Sequence, residues 1–201
     1  MRNDAFQHPA GFTLVELLVV LAIAAILLAV GVPSFSYVVD RNRVSGEVNE
    51  MLADMALTRS EALARRGRVI LCRSTTPTDP NAICSATAND WNAGWIVFVD
   101  NTTTGTPFQR DPGDLTEAVI RAYVKSSPQI AITAAPALAG VTVTSDGTVF
   151  SLDGNPLSLL NPGAPEPVRI DFSGSEQSNR RSLCIATTGQ ARISNSFGGC
   201  T

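Results

Sequence analysis

The sequence predicts an α+β protein in which one long N-terminal helix, membrane-spanning at its start, packs against an antiparallel β-rich head. An almost uncharged apolar run starts at Phe12, helical periodicity continues to about Arg66, and short β-rich runs separated by turn residues follow. The predicted organisation is a polar segment 1–11, a transmembrane helix 12–33, an amphipathic stem helix 34–67 and a head 68–201.

Composition excludes several function classes. The chain has 201 residues, of which 44% are hydrophobic, so a disordered chain is excluded. Its 15 basic and 18 acidic residues give a net charge of −3, which disfavours general electrostatic binding of nucleic acid. His8 is the single histidine, which argues against histidine-built metal sites and catalytic triads.

The apolar run Phe12–Val32 carries one charge, Glu16. At a helical rise of about 1.5 Å per residue, it spans roughly the 30 Å hydrocarbon core of a bilayer. An acidic residue in such a run costs about 2.5–3.5 kcal/mol near the bilayer centre and usually has a function. Glu16 therefore disfavours a secretory signal peptide cut near Gly31 and disfavours a plain membrane anchor.

The string Gly11-Phe12-Thr13-Leu14-Val15-Glu16-Leu17 resembles the prepilin peptidase site of type IV pilins and type II secretion pseudopilins. The resemblance implies a leader 1–11, cleavage between Gly11 and Phe12, and N-methylation of Phe12. It places Glu16 at the fifth position after the cut, as an assembly residue. Pro33 falls where these proteins commonly bend the stem. The family is anchored by one pass in the bacterial inner membrane, with its head in the periplasm.

This resemblance has a physical logic. Cleavage creates a new amine at Phe12, which can pair inside the lipid with the Glu16 carboxylate of a neighbouring subunit. A lone buried carboxylate is costly and a paired one much less so. We therefore expect Glu16 to favour assembly in one axial register.

The stem helix is predicted to bury one stripe and to expose the other side. The predicted stripe consists of Val44, Val48, Met51, Leu52, Met55, Ala62 and Leu63. The charged residues interpreted as a solvated or subunit-facing surface are Arg41, Arg43, Glu47, Glu50, Asp54, Arg59 and Glu61. Pro33 should loosen the helix, and Gly67 is predicted as the C′ residue at its end.

The head is predicted from β-rich runs between Gly, Pro, Asn and Asp residues. Its candidate strands are 69–73, 95–100, 118–124, 129–134, 140–145, 148–152, 168–173, 182–187 and 190–194. Asp146-Gly147 and Thr188-Gly189 are predicted as tight hairpin turns. The segments 73–92, 101–116 and 153–167 are polar or rich in Pro and Gly and are interpreted as loops.

The four cysteines are Cys72, Cys84, Cys184 and Cys200. A head outside the cytoplasm permits disulfides, and the short loops favour Cys72–Cys84 and Cys184–Cys200, although three connectivities are open from sequence. No cofactor or metal site is predicted. Oxygen ligands for calcium cluster in the Asp-rich loop 100–114, but the spacing is not that of an EF-hand, so solvated loop acids are the favoured interpretation.

Segments of the head carry a second resemblance. Residues 91–100, 114–121, 143–147 and 181–193 are similar, in that order, to segments of the H-type pseudopilin and FimT/FimU group. The resemblance implies a minor pilin in the tip or priming complex of a type IV pilus, with other pilins as partners through the N-terminal helix. The alternative is an H-type minor pseudopilin of type II protein secretion. Two cysteine pairs and a loop-rich head favour the pilus slightly.

An accessory DNA receptor is the second alternative. Some FimT-like minor pilins bind DNA through a Gly-Arg-x-Arg turn, of which this chain keeps Gly189 and Arg192, with Arg180 and Arg181 as further candidate cations. Residues 69–201 contain eight basic and eleven acidic side chains, which disfavours this role. An enzyme is not predicted, because the head has no histidine, phosphate loop or nucleophile motif.

Overall fold

The computed structural model describes residues 11–85, 91–101, 108–135, 137–152, 168–175, 179–186, 188–195 and 199–200, with the backbone alone at 30–34. The chain divides into two compact units, here called the first unit (1–39) and the second unit (40–201). Each unit is described by itself. The predicted loop 153–167 lies outside the described residues.

Helix α1 runs from Leu14 to Arg65 and contributes residues to both units. Thr13 precedes its first turn and accepts a hydrogen bond from the Glu16 amide through its hydroxyl at 3.2 Å. This is the N-cap arrangement that satisfies one of the free amides at a helix start. Pro33, predicted to loosen the helix, lies within the helical backbone.

The end of α1 corrects one prediction. The Gly67 amide bonds the Ala62 carbonyl at 3.2 Å and the Arg66 amide bonds the Leu63 carbonyl at 3.4 Å. This is a Schellman motif whose C′ residue is Arg66, with a φ of 52°. Gly67 is therefore C″ and not C′, because its amide makes the outer of the two hydrogen bonds, to the Ala62 carbonyl.

Nine described strands follow the helix, and every predicted strand occurs with its ends within two residues of the expectation. They are β1 (Arg68–Arg73), β2 (Gly94–Asp100), β3 (Val119–Val124), β4 (Ala131–Ala135), β5 (Gly140–Val143), β6 (Val149–Ser151), β7 (Val168–Ser173), β8 (Arg180–Ile185) and β9 (Ala191–Ser194).

The strands form two sheets, and their described pairings are antiparallel, as predicted. One sheet has the order β3-β2-β1-β5-β6, and the other has the order β4-β7-β8-β9. Both predicted hairpin turns are confirmed. Gly147 and Gly189 take φ values of 82° and 77°, which favour glycine, and each donates its amide back across its turn at 2.9 Å.

The core of the second unit lies between the helix and the inner faces of both sheets. From the helix it takes Val44, Val48, Met51, Met55 and Ala62, as predicted. Leu52 is only partly buried, and Leu63 is exposed, so the predicted stripe was wrong at Leu63. The reason is that α1 ends two residues beyond Leu63, where no sheet residue covers that side of its last turn in the described structure.

Strands β1 and β2 are buried on both faces. Val69 and Leu71 face the helix side, whereas Ile70 and Cys72 join a second, smaller cluster with Phe98 on the outer face. This alternation follows from the two-residue period of a strand. The outer cluster is continued by the loop that returns to Cys84.

Arg66 and Gly67 provide the first testable prediction. Arg66→Gly should raise the free energy of unfolding by about 0.5–1 kcal/mol, because glycine removes the strain of the left-handed conformation. Gly67→Ala is the matched change and should be close to neutral, since its Cβ would meet only the Arg65 carbonyl oxygen at 3.9 Å. Urea unfolding in detergent, followed by the fluorescence of buried Trp91 and Trp95, measures both. If Gly67→Ala lowers the free energy of unfolding by more than Arg66→Gly raises it, the assignment of Arg66 as the C′ residue is contradicted.

Candidate assembly sites

The residues that surround the predicted cleavage site lie at the start of the first unit. Gly11, Phe12 and Thr13 precede the helix, and Phe12 is 86% exposed. A Cβ at Gly11 would meet nothing within 4 Å among the described residues. The described fold therefore places no steric demand for glycine at this position.

Glu16 lies in the first turn of α1, where the helix dipole favours an anion. Its side chain is exposed, as are the large apolar side chains around it, which include Leu14, Val15 and Leu17. The structure thus presents one carboxylate within an exposed apolar helix surface. In the part of the chain that the structure describes, no helix combines the length and the apolar character needed to span a bilayer.

The C-terminal part of α1 carries a second acidic feature, which sequence reasoning missed. Asp40, Glu47 and Asp54 recur every seven residues and are all buried, with Glu47 only 1% exposed. A spacing of seven residues places side chains on one helix face. The interpretation of Glu47 and Asp54 as solvated or subunit-facing was wrong, because both face the sheets. We call these three residues the acidic ridge.

Glu47 accepts three hydrogen bonds from the end of β3 and the residues just after it. The amide and the hydroxyl of Ser126 donate to its Oε1 at 2.8 and 2.6 Å, and the Tyr123 hydroxyl donates to its Oε2 at 3.1 Å. Burial, reinforced by the adjacent Glu47, raises the pKa of Tyr123 to about 12. The tyrosine therefore remains a donor throughout the neutral range.

Asp54 is bound by β2 and β3. The Trp95 indole donates to its Oδ2 at 2.7 Å, and the Arg121 guanidinium lies 3.3 Å from its Oδ1. Trp95 stacks on Tyr123 with ring centroids 4.2 Å apart, which joins the Asp54 and Glu47 contacts into one network. Burial raises the pKa of Asp54, and the bonds from Trp95 and Arg121 only partly offset this effect.

Asp40 attaches the helix to the other sheet. Its Oδ2 accepts a hydrogen bond from the Asn179 side chain at 2.9 Å, and its Oδ1 accepts one from the Ser175 amide at 3.4 Å. The carboxylate lies so close to Gly174 that any Cβ there would collide with it. The acidic ridge therefore contacts both sheets.

Both predicted disulfides are present. Cys72 is bonded to Cys84 and Cys184 to Cys200. They close loops with sequence separations of 12 and 16 residues, a size for which a disulfide contributes roughly 3 kcal/mol. The second disulfide attaches Cys200 to β8.

The three candidate DNA-binding cations do not converge. Arg180 and Arg181 are the first two residues of β8. Arg192 lies on β9 and pairs with Cys184, which is three residues after Arg181 on β8. At about 3.3 Å per residue this is roughly 10 Å. Arg192 instead borders a cleft of about 520 Å³, together with Arg59 of the helix. The Arg59 guanidinium bonds the Thr188 carbonyl and also lies against Gly147.

The acidic side chains Asp100, Asp111 and Asp114 of the Asp-rich loop make an ion pair and hydrogen bonds within the chain. Buried Asp100 pairs with Arg68 at 2.9 Å, and burial raises the pKa of Asp100 although this cation opposes the shift. Asp111 and Asp114 accept the amides of Gly113 and Thr116 at 2.9 and 2.8 Å. Within the described ranges, no cluster of three acidic, cysteine or histidine side chains could hold a metal ion.

Comparisons with known proteins agree with this architecture. Residues 47–189 match the family described as Type II transport protein GspH, and residues 7–32 match the prokaryotic N-terminal methylation motif. The first match covers most of the chain. The chain belongs to the GspH family.

The fold of this GspH-family chain is similar to that of a solved minor pilin. The crystal structure of type IV minor pilin FimU from Pseudomonas aeruginosa PAO1, in space group P21, aligns with a TM-score of 0.50 at 16% identity, covering 77% of this chain and 90% of that chain. The P65 form aligns with a TM-score of 0.46 at 15% identity, covering 75% and 91%. No curated protein matches the GspH-family chain.

Glu47 gives the second prediction. Glu47→Leu should lower the free energy of unfolding by about 3 kcal/mol, because the Ser126 amide and two hydroxyls lose their buried acceptor. Glu47→Gln keeps one carbonyl oxygen as an acceptor and should lower the free energy of unfolding by about 1 kcal/mol. Glu50→Gln is the control, since Glu50 pairs with Arg121 at the surface and should change little. Urea unfolding of the GspH-family chain compares the three variants. Equal losses of unfolding free energy at Glu47 and Glu50 would contradict the role of Glu47 as a buried acceptor.

Asp54 gives a pH-dependent prediction. Because its pKa is raised in the folded state, its charged form opposes folding above that pKa, and this opposition is relieved as the pH falls towards 3.8. Asp54→Asn cannot titrate but keeps an acceptor for Trp95. The free energy of unfolding of the parent, minus that of Asp54→Asn, should therefore increase as the pH is lowered from 7 towards 4. If this difference in unfolding free energy stays constant or decreases as the pH is lowered, a raised pKa of Asp54 is contradicted.

Proposed function

We propose that the chain is a minor pilin or pseudopilin, a structural subunit that joins the tip or priming complex of a type IV pilus. The observation that carries this proposal is the string from Gly11 to Glu16, placed directly at the start of α1 and matched by the methylation motif. The fold shared with a type IV minor pilin is in line with it. The role is assembly through surfaces, and not catalysis.

Processing of the N-terminus is part of the proposal. A prepilin peptidase hydrolyses the Gly11–Phe12 bond, which leaves a carboxylate on Gly11 and an amine on Phe12, and the amine is then N-methylated. The exposed residues 11–13 precede the helix, so this bond is not engaged in helical hydrogen bonding. Among the described residues, nothing lies within 4 Å of a Cβ placed at Gly11, which supports recognition by an enzyme that needs close approach to the backbone.

Membrane anchoring is supported by the sequence of the same segment. Residues 12–32 carry Glu16 as their one charge, which suits a single pass through the bacterial inner membrane. The second unit would then lie in the periplasm, where both disulfides are stable. Pro33 at the end of this segment is proposed to bend the helix in the assembled filament.

The alternative is an H-type minor pseudopilin of the type II secretion system. It is favoured by the match of residues 47–189 to the Type II transport protein GspH family. Both alternatives use the same N-terminal assembly mechanism, so the choice depends on which system loses function when the chain is absent. No observation of the structure favours the DNA receptor.

Deletion of the gene tests the choice between the two systems. Surface pili are counted by electron microscopy, and secreted proteins are quantified in the culture medium, with a complemented strain as control. Loss of pili restored by complementation supports the pilus. Normal pili with a restored loss of secretion would support the pseudopilus, and no effect on either would reject both.

Glu16→Val tests the assembly mechanism. The variant should insert and accumulate in the membrane fraction as the parent does, because valine lowers the cost of insertion. Its incorporation into filaments should fall at least tenfold, because the Phe12 amine of a neighbour loses its partner. Membrane fractionation, N-terminal sequencing and immunoblots of sheared filaments measure these steps. Unchanged incorporation of a correctly cleaved variant would refute the mechanism.

A further inference from the structure

The cleft beside β9 lies between the edge of a sheet and an apolar part of the helix. Its described lining includes Leu52 and Ala56 of α1 and Ala191 of β9. Its volume of about 520 Å³ lies within the range of roughly 300–1,000 Å³ that is typical of binding clefts. The strand wall and the helix wall offer different chemistry to an occupant.

The strand wall presents backbone groups that β8 does not use. Among the described strands, β9 pairs with β8 alone. The Ala186 amide bonds the Gln190 carbonyl at 2.9 Å, so this pair is a hydrogen-bonded position of the β8–β9 ladder. Hydrogen-bonded and non-hydrogen-bonded pairs alternate along an antiparallel ladder. Ala191 and Ile193 therefore direct their N–H and C=O groups away from β8, and no described residue hydrogen-bonds these groups.

The other sheet edges are less suited to accept a further strand. On β4, the Ile132 amide already donates to the Asn92 side chain at 3.1 Å. Strand β6 has only three residues, and β3 has a bulge in its pairing with β2. Bulges and prolines are common protections of an edge strand. Strand β9 keeps a regular register with β8 over its four residues and contains no proline.

The helix wall determines which side chains an added strand should carry. Ala191 and Ile193 pack against the core on the side of α1. Since side chains alternate along a strand, every second residue of a strand added beside β9 would face the same side. Leu52 and Ala56 lie there, one helical turn apart. The cleft therefore fits an extended segment with apolar residues at alternate positions.

The cations at the cleft are not needed for this fit. The Arg59 guanidinium bonds the Thr188 carbonyl, and Arg192 also has an interaction within the chain. Backbone hydrogen bonds and apolar contact define the occupant instead.

We infer that the cleft receives an extended segment of a different protein chain, which adds to β9 as a further strand and places apolar side chains on Leu52 and Ala56. In this mode of recognition, main-chain hydrogen bonds give affinity and alternate side chains give specificity. The inference rests on the proposed function, which makes the donor another subunit of the tip or priming complex. A contact along four residues is small, but bundled N-terminal helices would hold the donor at a high effective concentration.

Site-specific photo-crosslinking of the full-length chain in its own cells tests the inference. Gln190 is exposed and lines the cleft, so a photoreactive residue in its place should crosslink to one segment of another protein that itself carries an N-terminal methylation motif. Position 115 is the control, since Leu115 is 93% exposed but lies outside the described lining. The inference is overturned if position 190 gives no crosslink to another protein, or crosslinks only to a copy of this chain or to proteins without the motif.

Ala191 distinguishes strand addition from contact by side chains alone. Ala191→Pro removes one outward N–H and no ladder bond to β8, and proline is tolerated at the first residue of an edge strand. It should reduce the crosslink from position 190 by roughly fivefold or more, because one main-chain hydrogen bond is lost. Ala191→Val keeps the N–H and should leave the yield nearly unchanged. Equal yields from two variants that both show cooperative thermal unfolding would rule out strand addition.

Ala56 tests the helix wall without any change in β9. Ala56→Phe fills the cleft and should reduce the crosslink from position 190 by roughly fivefold or more, because the apolar side chains of the donor lose their place. Ala53→Phe is the matched control at an exposed position outside the described lining, and it should keep the yield. If both variants give the same yield, the cleft is not the acceptor. This pair decides the outcome even if Ala191→Pro does not fold.

The strand-addition inference and the proposed function can fail separately. Pilus counts and secretion in the deletion strain report on filament function and do not depend on the crosslink. Unaffected pili and secretion, together with a crosslink that Ala191→Pro and Ala56→Phe reduce, would reject the filament role but keep the contact. A restored loss of pili without the crosslink would keep the filament role and reject the contact.

Discussion

Buried carboxylates on α1 decide how the helix and the sheets fit together. Asp40, Glu47 and Asp54 leave water on folding, and each receives hydrogen bonds from a different part of the head. A buried carboxylate without a partner is strongly destabilising, whereas a partnered one is tolerated. Sliding the helix by one turn would preserve much of the apolar contact but would leave these three groups without their partners. The acidic ridge therefore selects one register of helix against sheets.

The two sheets depend on this register in different ways. The sheet that contains β2 and β3 reaches the helix through the network of Asp54, Trp95, Tyr123 and Glu47, while the other sheet is attached through Asp40. Arg59 bonds the β8–β9 turn and lies against the β5–β6 turn, so both sheets also meet near the end of the helix. The disulfides add covalent restraint to the segments that end at Cys84 and Cys200.

One chemical theme links folding and the proposed assembly. The carboxylates of the acidic ridge find their partners within the chain, whereas Glu16 has, among the described residues, no partner for its carboxylate. The proposed filament supplies one as the amine of a neighbouring Phe12. An unpaired carboxylate in an apolar setting is costly. This cost therefore favours one register of the helix against the sheets within the subunit, and in the proposed filament it favours one axial register between subunits.

The sequence by itself determined the α+β class, the nine strands, both hairpin turns and the processing motif, because these depend on local periodicity and on short strings of residues. Only the tertiary structure decided the exposure of Leu63, the burial of Glu47 and Asp54, and the conformation of Arg66. Charge predicts exposure unless distant groups supply hydrogen bonds, and the partners of Glu47 lie 76 and 79 residues further along the chain. The position of partners so far along the chain depends on how the strands pair. The helical periodicity of the sequence carries no information about that pairing.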